Sequence, residues 1–400
     1  MPGVGQAVRT RGVVLLLGGT GRYGGEVARL LAAAPGITRL IIAGRDLTAA
    51  RALAGTLGPR ASAARLDLSH VGELGRIAAD VDLVVNAAGP ERLVVLDALS
   101  ETIAVGAHYC DLCADARVCV EARRLDAAAR DAGTTALLGA GEFPGLSNLT
   151  MLRAAQALDT PHEVRHCVVY MPANRDEAPA ERLRRWRDSG HVDASWQLIM
   201  RSFTPPVQVV RDGRLAEVDP ADEAVTVRLP GGARIPAYPV GFSEPVTLHA
   251  ALPALSAACS LWSFVPTALN ERALVLGTAV ARGELDESEA AVRFFEHLVS
   301  LAPAPSAELR ELSRPWLLWA EARGTRGDGP AVARCAARGD WATTAALLCA
   351  AALRILRGEI DERGVLAPES CLDPLPYFAE AAALAGVPTP PHGPLEESLS

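Results

Sequence analysis

Three glycines, in the stretch Gly19-Thr20-Gly21-Arg22-Tyr23-Gly24, follow the apolar run Val13–Leu17 and precede an Ala/Leu-rich stretch. In that setting each glycine has its own task. The first turns the chain tightly, the second lets backbone approach a ligand, and the third lets the following helix pack on the sheet. A helix that starts there aims unpaired N–H groups at an anion such as a pyrophosphate. The spacing therefore predicts a dinucleotide seat on Gly19, Thr20, Gly21, Arg22, Tyr23 and Gly24. About twenty residues beyond such a turn an acid usually holds a ribose diol, but this chain has Gly44-Arg45 there. A guanidinium can pair with a 2′-phosphate, with Arg22 close enough to help, so the expected cofactor is NADP, with NAD second. The plain alternative for Arg45 is a solvated surface arginine, and Asp46 reads as a helix cap.

Further chemistry-bearing residues stand at the ends of later apolar runs. Asp67-Leu68 closes the third, where Asp67 could accept from an adenine amino group. Asn86-Ala87-Ala88-Gly89-Pro90 closes the fourth, and its small residues leave room for the nicotinamide half. Asn86 serves equally well as a tie between loops. His108, Tyr109 and Asp111 end a fifth run, where open parallel sheets bind ligands. Hydride transfer also needs a proton carrier, so Tyr109, Asp111 and Glu142 are the candidate catalytic residues. Helix capping by Asp111 and packing of Tyr109 are equal alternatives. Cys110, Cys113 and Cys119 suggest a zinc or redox site, but no second pair follows; buried thiols are the expectation and no metal is assigned.

The elements that must position these residues alternate in the βαβ manner. Strands are expected at Val13–Leu17, Leu40–Ala43, Ala63–Leu68, Leu83–Ala88, His108–Leu112 and Ala136–Gly139. Helices are expected over Tyr23–Ala33, Leu47–Leu57, Val71–Ala79, Leu93–Val105 and about Ala114–Ala132. That is an N-terminal Rossmann domain, a doubly wound parallel sheet over 1–145. A second, α+β domain for substrate and dimerisation is expected over 146–385, with strands near Val164–Tyr170, Val207–Arg211 and Ala224–Leu229. It turns helical over 251–300, has a hairpin tip at Gly324–Gly329, and ends in helices Ala342–Arg357 and Asp373–Ala385. Trp196, Trp262, Trp316, Trp319 and Trp341 fall within it, as core or as lining of an apolar pocket. A flexible tail occupies 386–400.

Composition narrows the function. The chain has 400 residues, half of them hydrophobic, enough for two cores, and a net charge of −8 that attracts neither nucleic acid nor anionic membrane. No run reaches the roughly 18 apolar residues of a membrane span, and the start lacks a signal peptide's long apolar core, so a cytoplasmic protein is expected. All 39 basic residues are arginine. Without lysine there is no Schiff-base chemistry and no Tyr-x-x-x-Lys dyad, which excludes short-chain dehydrogenases of the usual catalytic type.

Gly18-Gly19-Thr20-Gly21, Val84–Pro90, Gly106–Asp111, Ala132–Gly141 and Pro144–Asn148 together resemble the saccharopine dehydrogenase-like oxidoreductases. The resemblance covers residues 13–150, and only in outline the rest. It implies an NADP(H)-dependent enzyme that reduces an imine, or oxidises an amine, of a small metabolite. Trans-acting enoyl reductases, which act on thioester-linked acyl chains, carry the same nucleotide domain, and a non-catalytic NADP(H)-binding sensor or scaffold is a third reading. Saccharopine-forming members tend to have Asp where this chain has Phe143 before Pro144-Gly145, which points to a less cationic substrate. Apolar C-terminal helices are compatible with a homodimer.

Overall fold

The computed structural model describes residues 12–170, 178–229, 232–301, 316–386 and 398–399. They divide into two compact units. One holds the chain up to Cys113, Glu121–Gly141 and the stretch from Trp341; the other holds Ala114–Val120, Glu142–Asp340 and Ser398–Leu399.

In the first unit the apolar runs become parallel strands: β1 (Val13–Leu17), β2 (Arg39–Gly44), β3 (Ala61–Arg65), β4 (Leu83–Asn86), β5 (His108–Asp111) and β6 (Thr135–Leu137). Every residue of β1 and β4 is buried, which is why these strands read as unbroken apolar sequence rather than alternation. The order is β6-β5-β4-β1-β2-β3, and Leu17 at the end of β1 stands level with Ala43 on one side and Asn86 on the other. The strand order reverses at β1, so the carboxyl edge above β1 and β4 is the place where such sheets open a crevice. β3 stops at Arg65, so Asp67-Leu68, expected at a strand end, lie in the turn beyond it.

A seventh parallel strand, Gly364–Leu366, extends the sheet beside β6. It follows the helix Trp341–Arg357, which packs against α1 (Arg22–Ala33) and against the helix Pro374–Leu384. This corrects the expected domain limits: Trp341–Leu384 belongs with the parallel sheet, not with the second domain that was to run to 385. The helix Trp341–Arg357 is buried along nearly its whole length; a helix apolar on most sides needs neighbours on most sides. The helix expected over Ala114–Ala132 is also broken, into Ala116–Ala122, a 3-10 turn Arg123–Leu125 and Asp126–Asp131.

The second unit is a mixed sheet of β7 (Thr160–Tyr170), β8 (Val207–Arg211), β9 (Arg214–Val218), β10 (Val225–Arg228), β11 (Arg234–Pro239), β12 (Ala257–Phe264), β13 (Trp316–Arg326) and β14 (Gly329–Gly339). Its path is β10-β11-β12-β7-β13-β14, with Ser398–Leu399 of the expected tail pairing with β14. β12 and β7 are parallel and the other pairs antiparallel. The β8–β9 turn is Asp212-Gly213, both at positive φ (50° and 69°), the backbone that an Asp-Gly hairpin requires. β12 corrects the helical reading of 251–300. A short apolar run such as Ala-Ala-Cys-Ser-Leu-Trp-Ser-Phe has no period that separates strand from helix, and partners on both sides decided it.

The core of this unit is aromatic. Tyr170 packs on Trp262 at 5.2 Å and Trp316 at 5.8 Å between ring centroids, and Trp196 on Phe295 at 4.5 Å. Trp196, Trp262, Trp316 and Trp319 are thus core residues; Trp341 lies in the first unit. No helix among the described residues is long and apolar enough to cross a membrane.

Candidate functional site

The first unit carries the predicted turn, and the glycines in it differ in what they do. Gly18 sits at φ +71°, and a Cβ there would meet the Ala88 amide nitrogen at 2.7 Å. A Cβ on Gly19 would reach Ile42 Cγ2 at 2.6 Å, and one on Gly24 would reach the Gly18 carbonyl oxygen at 2.1 Å. These three are therefore demanded by packing of β1, β2, β4 and α1. Gly21 is different: a Cβ there would touch only the Gly18 oxygen, at 3.2 Å, and otherwise stand in open space. The Gly21 N–H donates to Gly18 O at 2.9 Å and starts α1, whose first turn has neither a side-chain cap nor an acid. An uncapped helix start beneath an opening that only glycine leaves clear fits a phosphate group.

Around this turn the structure places most of the expected residues on one edge of the sheet. Thr20, Gly21 and Arg22 are exposed, as is Arg45 just past β2. Asp46 caps the helix Leu47–Leu57, accepting from Ala49 N at 2.9 Å. Asp67 accepts from Ser69 N at 3.1 Å and Ser69 Oγ at 2.8 Å. These bonds hold its carboxyl below 3.8, with His70 and Arg45 adding a weaker pull. An ionised acceptor therefore lies within the field of Arg45. Leu68 is half-buried beside it. Ala87 and Ala88 line the back of the Gly18 turn, and Gly89-Pro90 is a cis peptide.

Tyr109 and Asp111 are joined to Asn86 in a single buried chain. Asn86 Nδ2 donates to Tyr109 Oη at 2.9 Å, and Tyr109 Oη donates to Asp111 Oδ2 at 2.9 Å. Asp111 Oδ1 accepts from Gly139 N at 2.9 Å and Cys113 N at 3.0 Å, while Asn86 Oδ1 accepts from Ala88 N at 2.9 Å. Tyr109 is fully buried. Burial pushes its hydroxyl well above 10, with the Asp111 charge adding to the effect. Burial also pushes Asp111 up from 3.8 to about 6, against the pull of the Gly139, Cys113 and Tyr109 donors. The chain ties the ends of β4, β5 and β6 together. Cys110, Cys113 and Cys119 are buried free thiols.

Glu142 lies in the second unit and is buried. A Cβ on Gly339 would fall 1.6 Å from Glu142 Oε1, so only glycine leaves space for that carboxylate. Phe143 is half-buried; it stacks on Phe242 at 6.0 Å and meets Trp262 and Trp316 edge-on, against the aromatic core.

Two groupings escaped the sequence reading. In the second unit His166 Nε2 lies 3.3 Å from Glu244 Oε1, both buried, and Glu244 also accepts from Ser147 Oγ at 2.6 Å and Ser260 Oγ at 3.0 Å. Burial pushes Glu244 up, but His166, the Ser147 hydroxyl and Glu244's own backbone N–H outweigh it and hold the carboxyl below 4.5. Only the alternation of His166 with apolar neighbours in β7 hinted at it. In the first unit the Arg22 guanidinium lies over the Trp341 ring, 4.2 Å from its centroid, and Tyr23 packs on the same ring at 4.7 Å. No sequence signal links Trp341 to the glycine turn.

Residues 14–137 match the model of the saccharopine dehydrogenase NADP binding domain. No curated protein matches this chain by sequence. Among solved structures, the chain is similar to apo histidine-tagged saccharopine dehydrogenase (L-Glu forming) from Saccharomyces cerevisiae. The match has 17% identity over 97% of this chain and 99% of that one, at a TM-score of 0.61, which shows a shared fold. GenD2 from gentamicin A biosynthesis, in complex with NAD, matches at 17% identity over 84% and 75% of the two chains, with a TM-score of 0.35. Serine dehydrogenase from Escherichia coli matches at 15% identity over 32% and 80%, with a TM-score of 0.26.

Proposed function

We propose that this chain, whose residues 14–137 match the saccharopine dehydrogenase NADP binding domain, is a saccharopine dehydrogenase-like NAD(P)-dependent oxidoreductase that uses NADP(H) to reduce an imine, or oxidise an amine, of a small metabolite. The observation that carries this reading is the pairing of an NADP-binding-domain match over 14–137 with an exposed Arg45 where a diol-binding acid would stand. In this reading the backbone of Gly19, Thr20, Gly21, Arg22, Tyr23 and Gly24 receives the pyrophosphate. Arg45 takes the 2′-phosphate, Asp67 and Leu68 the adenine, and Asn86, Ala87, Ala88 and Gly89 the nicotinamide half. The cofactor, when bound, supplies or accepts the hydride. Tyr109 and Asp111 act as positioning residues through Asn86, since their polar atoms are engaged with one another. Glu142 is the proton carrier we favour. Phe143, packed against an aromatic core, offers no charge to a substrate ammonium, which favours a substrate less cationic than saccharopine.

The eight cysteines, all free, suit a reducing, cytoplasmic setting, and the chain is compatible with a homodimer. Equilibrium titration with NADPH and NADH tests the cofactor: tighter binding of NADPH is expected, and absence of NADPH binding overturns the proposal. A panel of amine and oxo-acid pairs against enoyl thioesters tests the reaction. NADPH consumption confined to enoyl thioesters would replace C=N with C=C chemistry.

A further inference from the structure

The glycine turn has a neighbour that arrives from the far end of the chain. The chain leaves the second unit after Asp340 and enters the first at Trp341, the opening residue of the helix Trp341–Arg357. That helix packs along α1, which brings the Trp341 indole against the two side chains inside the fingerprint. Arg22 lies over its face at 4.2 Å, and Tyr23 meets it tilted by 52°. Arg22 is the first residue of α1 and is exposed; Trp341 is half-buried.

We propose that Trp341 is a positioning residue for dinucleotide recognition, holding the Arg22 guanidinium beside the start of α1 so that it meets a cofactor phosphate already oriented. An exposed arginine samples many rotamers, and a ring face that restricts them lowers the entropy lost when its fork closes on an anion. Stacking on the indole uses the plane of the guanidinium and hydrogen bonding to a phosphate uses its rim, so the two contacts are geometrically compatible. Arg22 stands at the helix start, where the dipole and the uncapped N–H groups already favour negative charge. Trp341 is where the chain returns from the second unit to the first, so the ring beside Arg22 is set by the helix that packs along α1.

This inference rests on the NADP(H) reading above, and its test separates the two. Binding of NADPH and NADH is measured by calorimetry for wild type, Trp341→Leu, Trp341→Phe, Arg22→Ala and the Trp341→Leu/Arg22→Ala double variant. Leucine keeps apolar bulk under Tyr23 and removes the ring face; far-ultraviolet dichroism checks the fold of each variant. Wild-type protein that binds neither nucleotide overturns the cofactor reading and this inference together. Given wild-type binding, Trp341→Leu is expected to weaken it about two- to fivefold, the size of an exposed cation–π contact. Trp341→Phe recovers most of the loss, and Trp341→Leu has no added effect once Arg22 is gone. A loss shared by NADPH and NADH assigns Arg22 to the pyrophosphate; a loss confined to NADPH assigns it to the 2′-phosphate. Unchanged affinity in Trp341→Leu, or losses that multiply in the double variant, overturns the inference and leaves the cofactor reading standing. Should Trp341→Leu fail to fold, Trp341→Phe against Trp341→Met in the same cycle decides it: only the aromatic variant keeps the coupling to Arg22.

Discussion

Replacing Tyr109 with phenylalanine separates a catalytic hydroxyl from a positioning one. The hydroxyl donates to Asp111 and accepts from Asn86, both at 2.9 Å, and all three side chains are buried. Its removal deletes a hydrogen bond to a carboxylate, a contact of about 1.5–3 kcal/mol, and strands the Asn86 N–H away from water at about 1–3 kcal/mol. Part of this is offset because the phenol no longer has to be desolvated, so a net loss of about 2–4 kcal/mol is expected. In a unit of this size that corresponds to a fall in melting temperature of roughly 5–15 °C. The pH dependence has a definite sign. Asp111 has its carboxyl raised from 3.8 to about 6 in the folded state. Its contribution to stability is therefore fully present below the unfolded value and lost as pH rises through about 6. The Tyr109 bond pulls that value down, so Tyr109→Phe raises it further and the variant loses more on the alkaline side. The gap between wild type and variant should be widest near pH 8 and narrow toward about pH 5. Urea unfolding at several pH values, alongside kcat under saturating cofactor, measures both effects. Intact stability with kcat reduced about a hundredfold or more would instead be the mark of general acid–base chemistry and would refute the positioning argument.

Other perturbations follow from the same geometry. Gly24→Ala drives a Cβ to 2.1 Å from the Gly18 oxygen, and because the obstacle is backbone, a cost at or above about 1–3 kcal/mol and a loss of nucleotide binding are expected by thermal melt and titration. Arg45→Ala should weaken NADPH about tenfold or more while leaving NADH nearly unchanged, the signature of a lost charge-assisted phosphate contact; equal losses for both nucleotides would remove Arg45 from the 2′-phosphate. Glu244→Ala leaves His166 buried without its partner at 3.3 Å and should cost about 3–5 kcal/mol near neutral pH. Because the Glu244 carboxyl is held below 4.5 when folded, its stabilising share exists above that value and fades as pH falls through the folded value. The variant and wild-type denaturation curves should therefore converge on acidification.

The parts of this protein legible in its sequence are those whose physics is local. The glycine turn could be read because Gly18, Gly19 and Gly24 answer to clashes within a few residues or with the adjoining strands, and because β1, buried throughout, shows as Val-Val-Leu-Leu-Leu. Asp46 as a cap and Asp212-Gly213 as a hairpin turn rest on bonds spanning three residues or fewer. Side-chain roles at strand ends were legible only as positions. Sequence puts Tyr109 and Asp111 at the carboxyl end of β5, but their burial, and their engagement by Asn86 and Gly139, come from three strands brought level. The strand β12 was hidden because a short apolar run has no diagnostic period, and its partners β7 and β11 lie far away in the chain. The same holds for Trp341, whose place under Arg22 follows from helix packing on α1 rather than from any neighbouring residue. Local sterics and hydrogen bonds thus wrote the nucleotide turn into the sequence, while long-range burial decided which side chains surround it.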